Sequence, residues 1–267
     1  MRLPFLALLM LLADCSRPQA APLRVCADPN NMPFSNQRGE GFENKLAQLI
    51  AADLGRPLEH VWWAQRRGNV RETLSAGRCD VIPGVASGLE MLVTTTPYYA
   101  STYVAVTRVG EPAITSFDDP TLRTRRIGVQ MVGDDFSNTP PAHALSRRGI
   151  TGNVRGYMIY GDYAQPDPHA RIVQAVASGE VDVAFVWGPV AGHFADRAPG
   201  LTLSRVQAGE EDRLVFAISM GVRRQDDGLK EQLEAALARH RDDIANLLAS
   251  YHVPLIPTAQ APRGDED

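Results

Sequence analysis

Short β-rich runs alternate with stretches of helical periodicity along almost the whole chain, and this alternation restricts the fold more than any other feature. Strands separated by helices build α/β units around a parallel sheet, not a sandwich or a helical bundle. The first unit is plain: Leu23–Ala27 reads as a strand and residues 28–40 as a loop. Phe42, Leu46, Leu49, Ile50 and Leu54 then mark one face of a helix that Gly55 ends. A second strand over 58–63, a second helix over 69–76 and a third strand over 79–85 complete the series.

Residues 97–109 are rich in Tyr, Thr and Val without a helical period, so they read as a long strand leaving this unit. A second series follows, with strands over 126–131, 154–159 and 181–187 and helices over 140–148, 170–178 and 188–195. Residues 214–222 read as a strand that returns, before helices over 228–239 and 242–250. The expected fold class is therefore α/β, with two lobes joined by two crossing segments. Residues 21–108 and 208–267 form the first lobe, and residues 109–207 form the second. Two connections make a hinged clamshell, and ligands of open α/β sheets bind beyond the carboxyl ends of the strands. The cleft is the expected site.

The N-terminus reads as an export signal over residues 1–20: Arg2, an apolar run over 3–13, and a polar stretch ending in Ala20 and Ala21. That run falls well short of the ~20 apolar residues needed to cross a bilayer. Cleavage after either alanine is open, and Leu12-Ala13-Asp14-Cys15 offers a lipoprotein alternative in which Asp14 is a poor neighbour for a lipidated cysteine. The expected location is periplasmic. With a net charge of −4 the chain lacks the basic footprint of a nucleic-acid binder. Export leaves Cys26 and Cys79 in an oxidising compartment, at the starts of strands expected to be neighbours. Their pairing is the natural expectation, with two separately buried thiols as the alternative.

The chemistry-bearing residues do not assemble into an enzyme signature. His60, His143, His169, His193, His240 and His252 are scattered without metal-ligand spacing. No G-x-S-x-G, G-x-x-x-x-G-K-[ST] or H-E-x-x-H occurs, so a binding protein without catalytic residues, metal or cofactor is expected.

Gly41-Phe42-Glu43 opening the first helix, Cys79-Asp80-Val81, Pro97-Tyr98-Tyr99 and the stretch 179–182 resemble the amino-acid-type periplasmic binding proteins of ABC transporters. A narrower resemblance lies in longer motifs: residues 24–35 (RVCADPNNMPFS), residues 61–68 (VWWAQRRG), Pro140-Pro141-Ala142-His143-Ala144-Leu145, Tyr160-Gly161-Asp162-Tyr163 and Val186-Trp187-Gly188-Pro189. These look like the binding-protein homologues associated with quinoprotein dehydrogenases, the methanol dehydrogenase J protein type. The resemblance implies a periplasmic accessory of a PQQ-dependent methanol or alcohol dehydrogenase, which would then be the partner. A transporter receptor for a small solute other than an amino acid is the alternative.

Two departures from the amino-acid-binding pattern bear on the cleft. The arginine that such relatives use to clamp a ligand carboxylate falls at Gly88, and the aspartate that pairs with the ligand ammonium falls at Gly188. The loop Gly133-Asp134-Asp135 would place carboxylates at helix amides that could otherwise take an anion. The candidate ligand or partner cleft comprises Asn30, Asn31, Met32, Phe34, Ser35, Trp63, Ser87, Asp134, Asp135, Tyr160, Tyr163 and Trp187. Its aromatic members could line an apolar cleft or meet a partner protein, since such side chains serve both roles.

Overall fold

The computed structural model describes residues 20–132, 138–158, 165–209 and 211–258. The first series runs β1 (Leu23–Ala27), β2 (Asn30–Asn31), β3 (Ser35–Asn36), α1 (Phe42–Asp53), β4 (Leu58–Trp62), β5 (Ile82–Ala86) and β6 (Val93–Thr94). After the long strand β7 (Tyr99–Arg108) come β8 (Ile127–Met131), α2 (Pro140–Arg147), β9 (Val154–Met158), α3 (Ala170–Ala177), β10 (Val183–Trp187), α4 (Gly188–Ala195) and β11 (Leu201–Arg205). The chain returns through β12 (Val215–Val222) and closes with α5 (Asp227–Arg239) and α6 (Arg241–Ser250). The export signal expected over residues 1–20 lies, apart from Ala20, outside the described residues.

β1 pairs in parallel with β4, and an isolated parallel bridge joins Val25 to Val81 just ahead of β5. The larger sheet runs β5-β12-β7-β10-β8-β9, with β6 beside β12 and β11 beside β7. β7 serves two sets of neighbours: Tyr99 to Thr102 pair with β12, whereas Val104 to Arg108 pair with β11 and Tyr103 to Val106 with β10. β10 is buried along its first four residues, as expected of a central strand covered by helices on its faces. Its packing partners include Phe117, whose ring lies 4.6 Å from that of Phe185.

One large apolar cluster spans both series, and a second lies within the later one. One gathers Val25, Phe42, Leu46, Ile50, Val222 and Leu233 with residues of α3 and α4, and the other gathers Ile114, Leu122, Ile127, Val129, Leu145 and Phe185. Asp80 ties the first series to the returning chain, accepting from Arg24 Nη2 at 2.6 Å and from Arg223 Nη2 at 3.2 Å.

The structure differs from the sequence reading at several short elements. The helix expected over 69–76 is present over 69–75, wound as a wide π turn over Arg71–Ser75, in which the Thr73 hydroxyl donates to the Asn69 carbonyl at 2.6 Å. Gly68 and Gly77, both at positive φ, bracket it. The edge strand β11 had no expectation at all. Its five residues are half polar and none is buried, so little periodicity marks it.

Cys26 and Cys79 form a disulfide with Cα atoms 5.5 Å apart, joining the end of β1 to the approach to β5. Both cysteines are buried with Leu74, Ile82 and Leu92. The bond closes a loop spanning a sequence separation of 53 residues. A loop of that length removes about 4 kcal/mol of entropy from the unfolded chain. The double variant Cys26→Ser/Cys79→Ser is accordingly expected to lose about 2–4 kcal/mol in denaturant titration. An unchanged midpoint would show that the link adds nothing to stability.

Candidate functional site

The first loop is held against the start of α1 by hydrogen bonds that the sequence encodes locally. The helix amides of Phe42 and Glu43 donate to the carbonyls of Pro33 and Phe34 at 2.8 and 2.9 Å, which satisfies two of the orphan donors of a helix N-terminus. Asn44 reaches back, its Oδ1 accepting from the backbone N–H of Gly41 at 3.2 Å and of Asn36 at 2.9 Å. Asp28 fixes the other end of the loop, accepting from the Asn30 amide at 2.8 Å and from the Gln65 amide at 2.7 Å. These contacts bring Asn31, Phe34, Glu43 and Gln65 to one wall of a cavity of about 280 Å³.

Residues of the second series form the facing wall, and β7 and β12 contribute between them. Gln130, His169, Trp187 and Val190 line one side, while Tyr99, Tyr103, Phe216 and Ile218 come from the two long strands. Tyr103, Trp187 and Phe216 pack on one another with ring centroids 5.3 to 6.4 Å apart and planes tilted by 57° to 76°. Such tilted pairs suit the quadrupoles of the rings. Gln130 Oε1 accepts from the backbone N–H of Trp187 at 2.9 Å and so orients the end of β10.

Polar contacts cross between the walls. Asn31 Nδ2 donates to Gln65 Oε1 at 2.7 Å, which turns Asn31 Oδ1 toward His169 Nε2 at 2.6 Å. His169 Nε2 is therefore the donor, and its buried Nδ1 is left without a hydrogen-bond partner among the described residues. Asn30 Nδ2 adds a second bridge, donating to the Gln165 carbonyl at 2.8 Å. Burial pushes the His169 imidazole down to about 4, so the ring is neutral at neutral pH.

Among the described residues that line the cavity, Glu43 is the one acid and no Lys or Arg occurs. It is 5% exposed and has no hydrogen-bond or ion-pair partner among the described residues. Burial, with repulsion from the Asp28 carboxylate added, pushes its carboxyl up to about 8. A notch for it exists only because residue 84 is glycine: a Cβ there would lie 2.1 Å from Glu43 Oε1.

Of the residues singled out in the sequence, Asn31, Phe34 and Trp187 line this cavity. Asn30 bridges at its edge. Met32 is buried in the core, and Ser35 is buried with its hydroxyl donating to the Asp28 carbonyl at 2.8 Å. Trp63 borders a separate surface depression with Pro29, Trp62, Ala64 and Arg66, and the Arg78 guanidinium lies 5.1 Å from its ring. Ser87 bonds Ser219 at 2.6 Å and borders a neighbouring hollow together with Gly88. Asp134, Asp135, Tyr160 and Tyr163 lie outside the described residues. Sequence reasoning missed Glu43, Gln65, Gln130, His169, Tyr99, Tyr103 and Phe216. An acid directly after Gly41-Phe42 at a helix start was the available signal for Glu43; nothing local distinguishes His169 from the other histidines.

Because the folded-state value of His169 lies below the ordinary value of 6.5, the unfolded chain takes up its proton first as pH falls. Stability is thus lost as pH drops from 6.5 toward 4, by about 3 kcal/mol in all from this group. The unfolding free energies of the natural chain and of His169→Asn are expected to converge over that window. A difference that stays constant with pH would show that His169 is not buried in its neutral form.

Comparison with known proteins follows this geometry. The family model of bacterial extracellular solute-binding proteins, family 3, matches residues 23–253. Protein MoxJ of Methylorubrum extorquens is 32% identical over 264 residues, covering 92% of this chain and 86% of that protein. The crystal structure of the periplasmic binding protein XoxJ from Methylobacterium extorquens AM1 superposes with a TM-score of 0.73 at 37% identity, covering 88% of this chain and 99% of that one. The crystal structure of MxaJ from Methlophaga aminisulfidivorans MPT gives a TM-score of 0.76 at 28% identity, covering 88% and 100%. No described helix is long and apolar enough to cross a membrane. With both the fold and nearly the full length matched, the chain belongs to the bacterial extracellular solute-binding proteins, family 3.

Proposed function

We propose that this chain is a non-catalytic periplasmic accessory of a PQQ-dependent methanol or alcohol dehydrogenase, acting in its assembly, activation or maturation. The observation that carries the reading is the likeness to MoxJ and XoxJ over nearly the whole chain, which agrees with the long motifs described above. The same reading keeps residues 21–108 with 208–267 as one lobe and residues 109–207 as the other, with Tyr99–Arg108 crossing between them.

The cavity supports this departure from amino-acid binding. A Cβ on Gly188 would lie 2.6 Å from both Ser101 Oγ and the Thr102 carbonyl, so an aspartate at this position would have to displace β7. Gly88 borders a hollow beside the cavity rather than the cavity itself, and its backbone is at positive φ, where a long side chain is strained. A zwitterion therefore meets neither of its usual charged anchors.

Affinity capture of the tagged chain from an alcohol-grown host is expected to enrich a quinoprotein dehydrogenase. Its absence after cross-linking would overturn the proposal. In thermal-shift measurements the common amino acids are expected to leave the melting temperature unchanged, whereas a true ligand at 100 times its dissociation constant would add about 2.7 kcal/mol. Gly188→Asp is expected to cost about 1–3 kcal/mol through overpacking, without conferring amino-acid binding.

A further inference from the structure

We propose that the cavity between the two walls is a binding site for a small organic ammonium ion, with the Glu43 carboxylate as its counter-charge. This goes beyond the accessory reading and stands whether or not a dehydrogenase is the partner. Three observations converge on it. Glu43 is more than nine-tenths buried, lines the cavity and has no partner among the described residues. A buried carboxyl left in that state either keeps a proton or meets a cation.

The walls supply the second observation. Phe34, Tyr99, Tyr103, Trp187 and Phe216 all line the cavity, and three of these rings pack mutually at steep angles. Aromatic walls attract organic cations through their quadrupoles, most strongly where water is displaced. The third observation is the absence of opposing charge. No Lys or Arg lines the cavity among the described residues, and His169 on the facing wall is neutral. An anion would meet a carboxyl without a positive partner, whereas a cation meets both an acid and rings.

Size limits the ligand. At about 280 Å³ the cavity lies at the low end of the ~300–1,000 Å³ typical of small-molecule sites, so the ion carries a short apolar tail. The raised value of about 8 for Glu43 adds a linkage: at neutral pH the carboxyl is largely protonated, and a cation binds as that proton leaves to solvent. Apparent affinity then rises with pH, about tenfold per unit well below 8, and levels off above it.

Isothermal titration calorimetry on the full chain with n-butylammonium chloride tests the proposal, with 1-butanol, sodium butyrate and sodium chloride as controls. Saturable binding of the ammonium alone is expected. It should tighten from pH 6 to pH 8, with proton release visible as a dependence of the heat on the buffer's ionisation enthalpy. Glu43→Gln should weaken binding at least about tenfold and remove the pH dependence, the carboxamide keeping the shape of the protonated acid but not the charge. Trp187→Leu should weaken binding while leaving the pH dependence in place. No saturable binding, equal binding of 1-butanol, or an affinity unmoved by Glu43→Gln would each overturn the proposal. Should that variant fail to fold by circular dichroism, the natural chain decides: affinity independent of pH between 6 and 8 excludes the carboxyl as counter-charge.

Discussion

Tyr99–Arg108 is a single ten-residue strand on which the two halves of the large sheet depend. Its first residues hydrogen-bond to β12, and its later residues lie between β10 and β11. β-branched and aromatic residues suit a strand paired on both sides, and Tyr-Ala-Ser-Thr-Tyr-Val-Ala-Val-Thr-Arg supplies Tyr, Val and Thr, with eight of its ten positions buried. Tyr99 and Tyr103 are placed on the cavity by the same strand that holds the halves together. Scaffold and site are therefore one element, and a change in β7 would disturb both.

The cavity gathers polar groups, two of which, His169 and Glu43, burial shifts toward their neutral forms. Asn31, Gln65 and His169 form one hydrogen-bonded chain across it, and the Glu43 carboxyl stands apart without a partner among the described residues. These groups have opposite titration signs. His169 loses stability for the folded chain as pH falls from 6.5 toward 4, because the unfolded chain protonates first. Glu43, raised from 4.5 to about 8, contributes stability below 4.5 that is lost as pH rises to about 8, because there the unfolded chain has already released its proton. Between 4.5 and 6.5 the two slopes oppose each other. From about 4 to 4.5 His169 acts alone, and from 6.5 to about 8 Glu43 does.

Much of the fold was legible because its elements are long enough to show a period. β1 and α4 lie where the sequence placed them, and α3, α5 and α6 differ only at their ends. What escaped was short or half polar: β11 and the hairpin β2–β3 inside the first loop, together with the wide winding of the helix over Arg71–Ser75. The site was legible only in part, for a different reason. Asn31, Phe34 and Trp187 sit in motifs whose composition invites attention, whereas Gln65, Gln130 and His169 are ordinary residues made significant by contacts far apart in sequence. The Asn31–His169 bond spans a separation of 138 residues, and no local pattern reports it.

Two glycines shape the space around the cavity in opposite ways. At Gly188 the approach of β7 to the start of α4 fills the space where a side chain would stand. At Gly84 the missing side chain has the reverse effect, leaving room into which the Glu43 carboxyl fits. Any other residue at 84 would push that carboxyl out of its notch. One glycine leaves no room for a side chain after the end of β10, and the other leaves room for the acid from the start of α1. Among the described residues the cavity lining thus carries a carboxyl without the basic partner that a carboxylate-bearing ligand requires.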